Sequence, residues 1–270
     1  MRPPDTLRPA ALRGYWMTAV MAAGGPIADG PLLLIDYLIR VLRVVLLLSI
    51  WRTLLAPGEA VEGVTLPAVL SYTLIAAAFA DQLDVRTELG WTIWNGTVVS
   101  RYLQPIGMVG LYAAEALGAW AFRFATFSLP LLALSPLLGV DPRPASAGHG
   151  LLFLASLVLG VTVGLAIEFV FGALLVALAE NIWAIEALRN AAGVLLSGAL
   201  LPLALYPWGL GELFQWLPFA AMASAPLRIY TGTGDPGLLL LTQSAWALAL
   251  WPFAQWFWRR NRERMAGLGG

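Results

Sequence analysis

Ionisable residues stand inside or beside long apolar runs, Arg52 and Arg189 among them, and six carry the most information: Asp36, Arg40, Arg43, Glu115, Arg123 and Glu168. Charge there is costly and usually faces protein or a polar route. Acids and bases of this kind can pair, hold a proton, or line a path through an apolar wall. An intramembrane enzyme is the weakest reading, because of what the chain lacks. It has no cysteine, no lysine and a single histidine. Thiol nucleophiles, thiolate metal sites and Schiff bases are therefore absent, and a nucleophile–base set cannot be assembled. His149 sits in Asp141-Pro-Arg-Pro-Ala-Ser-Ala-Gly-His149-Gly and reads as a solvated loop residue. Without lysine there is no G-x-x-x-x-G-K-[ST] loop, so this chain cannot bind and split ATP in that manner. No catalytic residue, cofactor site or metal site is expected on it.

Two of the charged groups have informative spacing. Asp36, Arg40 and Arg43 follow i, i+4, i+7 and share a helix face, with the acid correctly N-terminal to the base. They either snorkel towards headgroups or form a polar wall or an inter-helix lock. Glu168 lies on the ladder Gly160, Gly164, Glu168, Gly172, where small residues admit a neighbouring helix closely. Arg123, in the middle of another apolar run, is its expected partner. The pair is either a structural tie or part of a substrate route, and Glu115 is a further residue of the same kind.

The elements that must hold these groups are transmembrane helices. The chain is 59% hydrophobic and 12% charged, about half the charge share of soluble domains, near 25%. Its net charge of zero gives no field for nucleic acid. Six runs are long enough to cross a bilayer, at about 31–55, 64–82, 107–137, 150–179, 184–206 and 238–258. The expected fold is all-α, one polytopic membrane domain over residues 1–270. Pro130 and Pro136 are expected break points in the third run. With the N-terminus inside, Arg2, Arg8, Arg13, Arg86, Arg101, Arg259, Arg260, Arg262 and Arg264 fall on the cytoplasmic side, against Arg143 and Arg228 outside. That distribution puts both termini in the cytoplasm.

Three further segments carry information. Residues 13–26 have a short aromatic core ended by Gly24-Gly25-Pro26, and are read as a helix lying on the inner leaflet rather than a cleaved signal. Asp84 to Pro105 places Trp91, Trp94, Val98 and Tyr102 at helical spacing, with Arg86, Glu88, Asn95 and Arg101 among polar positions. The segment predicts an amphipathic helix over 86–104, ended by Pro105. It either anchors the loop or docks a soluble partner. The stretch Pro207 to Gly232, with Trp216-Leu-Pro218-Phe219, is too apolar for a solvated loop and too broken for a span. Short re-entrant half-helices are expected, of the kind tolerated only inside protein or a watery cavity.

Gly96-Thr-Val-Val-Ser-Arg-Tyr-Leu-Gln-Pro-Ile, continuing to Glu115, resembles the G-x-L-x-x-x-L-x-x-P inner helix of ABC-2 type permeases. Ser197-Gly-Ala-Leu-Leu-Pro, Trp216-Leu-Pro-Phe and Ala225-Pro-Leu-Arg-Ile-Tyr-Thr-Gly232 resemble that family's passage from span 5 to span 6. The likeness covers nearly the whole chain and is closest to short permeases encoded apart from their ATPase. One departure is Gln104, where the family often has arginine. The resemblance implies the membrane subunit of an ATP-binding cassette exporter in a prokaryotic cytoplasmic membrane. A second permease chain, identical or related, and two ATPase subunits holding ATP and Mg are implied as partners. Coupling to the ATPase would fall to Arg86, Glu88, Trp94 and Arg101. Gly193, Ser197, Leu195, Leu200 and Phe79 would stand near the dimer interface or pathway. Apolar walls and 12 tryptophans favour a drug, lipid or other amphiphile as cargo. A secondary carrier is the alternative; it predicts inverted repeats, and no convincing repeat is visible.

Overall fold

The computed structural model describes residues 9–28, 30–55, 60–61, 64–104, 106–178 and 182–268. Arg2, Arg8, Glu59, Glu62 and Pro105 lie outside the described residues. Helix α1 (Pro9–Ala28) leads through Gly30 into α2 (Pro31–Leu54), and a two-stranded hairpin, β1 (Ala60–Val61) with β2 (Val64–Thr65), precedes α3 (Leu66–Ala78). Three short helices follow: α4 (Ala80–Leu83), α5 (Leu89–Trp94) and α6 (Val98–Arg101). Helix α7 (Met108–Arg123) passes through a wide π turn at Phe124–Ser128 into α8 (Leu129–Leu134). Then come α9 (Ala147–Leu178), α10 (Ile182–Leu196), α11 (Leu210–Phe214), α12 (Pro218–Met222), α13 (Ser224–Thr231) and α14 (Pro236–Leu268).

The long segments run alternately up and down. Arg40 of α2 meets Asp81, which also takes Arg123, near one end, while Arg52 donates to the Leu138 carbonyl near the other. The end that carries α4–α6 is called lower here, and the end that carries α11 is called upper. Among the described residues, three helical segments are long and apolar enough to cross a membrane: Met108–Leu138, Ala147–Leu178 and Pro236–Asn261.

Two of the six expected runs are shorter than their apolar stretch. The second does not continue to residue 82 as one helix; α3 ends at Ala78, and Phe79 leaves helical geometry before α4 begins. The fifth stops at Leu196 instead of 206, because Gly198 takes φ 77 and Pro202 can extend no helix through it. In the third run the irregular turn lies just before Pro130, which has no N–H to give the carbonyl four residues back.

Helix α9 is the centre of the bundle, and its glycines show why. A Cβ on Gly160 would stand 2.7 Å from the Met222 carbonyl, and one on Gly164 2.5 Å from Val85. One on Gly172 would stand 2.7 Å from Leu89. The ladder thus seats α12, the turn after α4, and α5 against one stripe, as small-residue spacing anticipates.

Helix α1 is not laid out alone. Gly14 abuts Ile106, the Tyr15 hydroxyl accepts from the Gly107 amide, and a Cβ on Gly118 would stand 2.0 Å from the Ala19 carbonyl. Contact from Gly107 to Gly118 spans about 16 Å of helix rise, so α1 leans along α7 for three turns.

Helix α2 packs by the single stripe Val44, Leu48 and Trp51 against α3, Phe127 and Leu131. Tyr37 packs partly buried beside Phe127, and most of the remaining large apolar side chains, Leu34, Leu38 and Leu42 among them, are exposed.

Candidate functional site

The lower half holds a five-charge cluster built around Arg189. This arginine lies on the buried stripe Ile182, Ile185, Arg189, Gly193 of α10 and is 1% exposed. Gly193 makes the room: a Cβ there would stand 3.0 Å from the Arg189 guanidinium. Nε donates to Glu168 Oε1 at 3.2 Å, Nη2 donates to the Val85 carbonyl at 3.0 Å, and Nη1 stands 3.1 Å from Asp84 Oδ1. The other Glu168 oxygen accepts from the Thr87 amide at 3.1 Å and the Thr87 hydroxyl at 3.3 Å. A buried carboxylate with both oxygens occupied and a guanidinium beside it is a satisfied pair rather than a stranded charge.

This arrangement corrects the expected Glu168–Arg123 pairing. Arg123 belongs to a second cluster, 3.3 Å from Asp81, which also takes Arg40 at 3.2 Å; Arg40 in turn reaches Asp36 at 2.9 Å. Asp81 therefore ties α2 to α7 across the end of α3. Helix direction accounts for the difference. Glu168 is 21 residues below the start of the descending α9, so it lies near the lower end rather than deep in the bundle, about 30 Å along the axis. Arg43 is exposed and outside the described ion pairs.

The segment 84–104 is not the continuous helix that its apolar spacing predicts. Asn95 accepts the Thr97 amide at 3.0 Å in a local turn, and Gly96 adopts φ 75, which separates α5 from α6. Nor are Trp91, Trp94 and Tyr102 its packed face. All three are exposed, whereas Leu89, Thr92, Ile93 and Val98 are buried. Arg86 is held by Asp84, Glu186 and Asn190, the last at 2.6 Å. Arg101 pairs with Glu115 and lies 4.9 Å from the Tyr112 ring centre. Glu88 and Trp94 remain on the surface. The segment is therefore bolted on one side to α7, α9 and α10, and open on the other.

From the upper end, residues 207–222 descend into the same region. Pro218 opens α12, a favoured first-turn position for proline. Met222 meets Gly160, about 20 Å below the start of α9. Gln243 of α14 locks it there, donating to the Ala221 carbonyl at 2.7 Å and accepting from Ser156 at 2.8 Å. Phe219 is buried with its ring 5.6 Å from the Arg189 guanidinium carbon. Gly164 is flanked by both Val85 and the Met222 sulfur. The turn after α4 and the tip of the descending segment thus meet across one glycine, with Arg189 touching both. Trp216 is exposed, and its carbonyl accepts from Trp246 at 2.9 Å. Leu195 and Leu200 are exposed on the α10 side, whereas Phe79 packs between Phe124 and Phe153.

Asp81, Asp84, Glu186 and Arg189 are the residues the sequence reading missed. Arg189 had a legible signal: it falls four residues before Gly193, on the only stripe of α10 that combines Ile182, Ile185 and a glycine.

No curated protein and no solved structure matches the chain. A family match does exist, to the ABC-2 family transporter proteins, over residues 41–269. That stretch takes in the Arg189 cluster, Asp81 and Arg123 of the second cluster, the α5–α6 segment and the descending loop, while Asp36 and Arg40 precede it. The chain accordingly belongs to the ABC-2 transporter family, as an integral-membrane permease component.

Proposed function

We propose that the chain is the membrane subunit of an ATP-binding cassette exporter, driven by two separate ATPase subunits that hold ATP and Mg. The ATPases dock on the lower surface of α5 and α6, beside Glu88, Trp94 and the partly open edges of Arg86 and Arg101. A second permease chain, identical or related, completes the pathway. The cargo is an amphiphile such as a drug or lipid. The lower end faces a prokaryotic cytoplasm with both termini, and the 207–222 segment is re-entrant from the outer leaflet.

One observation supports this reading above the rest: Val85 and Met222 meet across Gly164, with Arg189 contacting both sides. A push on α5 moves the turn at Val85, and that turn has no slack before the tip of the upper segment. Close-packed interiors transmit displacement because they hold few voids. ATP-driven closure below then changes which upper state is favoured, provided the ATPase binds the two states unequally.

The cysteine-free chain makes the test direct. Glu88→Cys and Trp94→Cys, treated with a short bifunctional thiol reagent in host membranes, should capture a soluble protein carrying a phosphate-binding loop. Capture of such a protein from Trp16→Cys on α1, with none from positions 88 and 94, would move the docking surface elsewhere. Capture from no position would remove the ATPase from the proposal.

A further inference from the structure

The upper end contains a cavity of about 470 Å³ between α3, the 202–215 stretch and α13. Its wall includes Val64, Val69, Tyr72, Leu203, Tyr206 and Arg228. The volume lies in the range of small-molecule sites, and the wall is apolar on the α3 side and cationic at α13. Arg228 differs from the five paired arginines of the lower half. Arg40, Arg86, Arg101, Arg123 and Arg189 each face a carboxylate. No described ion pair includes Arg228; its Nη1 donates to the neutral Gln215 amide oxygen at 3.2 Å. Glu212 also lines the cavity, but it is exposed and outside ion-pair distance.

The Nε and Nη2 edge of that guanidinium makes no described hydrogen bond. It passes beside Gly234, where a Cβ would stand 3.2 Å from both nitrogens. Two parallel N–H donors on one planar edge match a carboxylate or phosphate. Trp208, which also lines the cavity, is the only described non-glycine residue with positive φ, at 59°, and it is 91% exposed. Backbone strain of this kind gathers at ligand clamps.

We propose that this cavity binds the anionic end of an amphiphile, a phosphate or carboxylate on Arg228 with its apolar chain along Val64, Val69 and Leu203. The site does not require that the amphiphile be the transported cargo, nor that an ATPase be present.

The test uses the full chain in nanodiscs of zwitterionic lipid, titrated with dihexanoyl phosphatidate and followed by calorimetry. Saturable binding is expected, weakened about tenfold or more in Arg228→Gln by loss of a charge-assisted bidentate contact. Dihexanoylglycerol, with the same chains and no charge, should bind at least tenfold more weakly than the phosphatidate. Ala68→Phe fills the cavity from the α3 side with Arg228 intact, and should abolish binding even if Arg228→Gln fails to fold. Binding unchanged in Ala68→Phe, or in a folded Arg228→Gln, overturns the proposal. So does inorganic phosphate binding as tightly as the phosphatidate, which would make the site one for a free anion.

Discussion

The two charge clusters of the lower half use similar residues to different ends. Around Asp81, every member is partly open: Asp81 is 18% exposed, and Arg40, Arg123 and Asp36 more so. Around Arg189, a dry centre is wrapped in a wetter rim, with Arg189 and Glu168 at 1% and 10% and Asp84, Arg86 and Glu186 beyond them. Counting ion pairs barely separates the clusters, three around Asp81 against four around Arg189. Burial separates them, because removing one partner of a dry pair strands the other, whereas an open pair re-solvates.

That contrast can be broken at its strongest point first. Glu168→Gln should lower unfolding free energy by about 3 kcal/mol, since it leaves Arg189 short of its buried counter-charge. Adding Arg189→Met should recover more than half of the loss, because both desolvation costs then disappear. Denaturant unfolding of the purified protein measures the cycle; a double variant no better than Glu168→Gln would mean that the dry pair is not the source of the effect. Asp81→Asn comes next, at about 1–2 kcal/mol, as both arginines it frees are partly exposed. A loss as large as that of Glu168→Gln would erase the distinction between the clusters. The rim should respond least: Arg86→Gln is expected to cost about 0.2–1 kcal/mol. Its effect should shrink in high salt, where exposed pairs are screened, while that of Glu168→Gln should not. Equal salt dependence for the two variants would contradict a dry centre and a wet rim.

The same distinction explains what could be read from the chain. The ladder Gly160, Gly164, Gly172 announced close contacts on α9, because small residues at helical spacing mean the same thing whatever packs on them. Glu168 was legible as a paired acid for that reason. Its partner was not, since Arg123 and Arg189 both lie in apolar runs and only the vertical offset of the helices decides between them. Composition measures apolar length but not where a helix starts. The run 184–206 looked long enough to span, yet its helix ends at Leu196, where Gly198 takes a left-handed turn. Likewise the spacing of Trp91, Trp94 and Tyr102 marked an amphipathic segment without saying which face met protein. Asn95-Gly96, an ordinary turn signal, was outweighed there by periodicity.

The contact between Ala19 and Gly118 sets a schedule for biogenesis. Helix α1 is made first but finds its seat on α7 only once residues about ninety positions later have emerged. At about 5–20 residues per second, that is a delay of roughly 5 to 20 s. Through that interval Trp16, Met17 and Met21, which stay exposed even in the finished fold, have no protein partner. The headgroup region of the bilayer can hold such a helix meanwhile, as it does amphipathic helices in general. The first twenty described residues thus wait unseated until α7 is made, and a chain interrupted before α7 would leave them on the lipid surface.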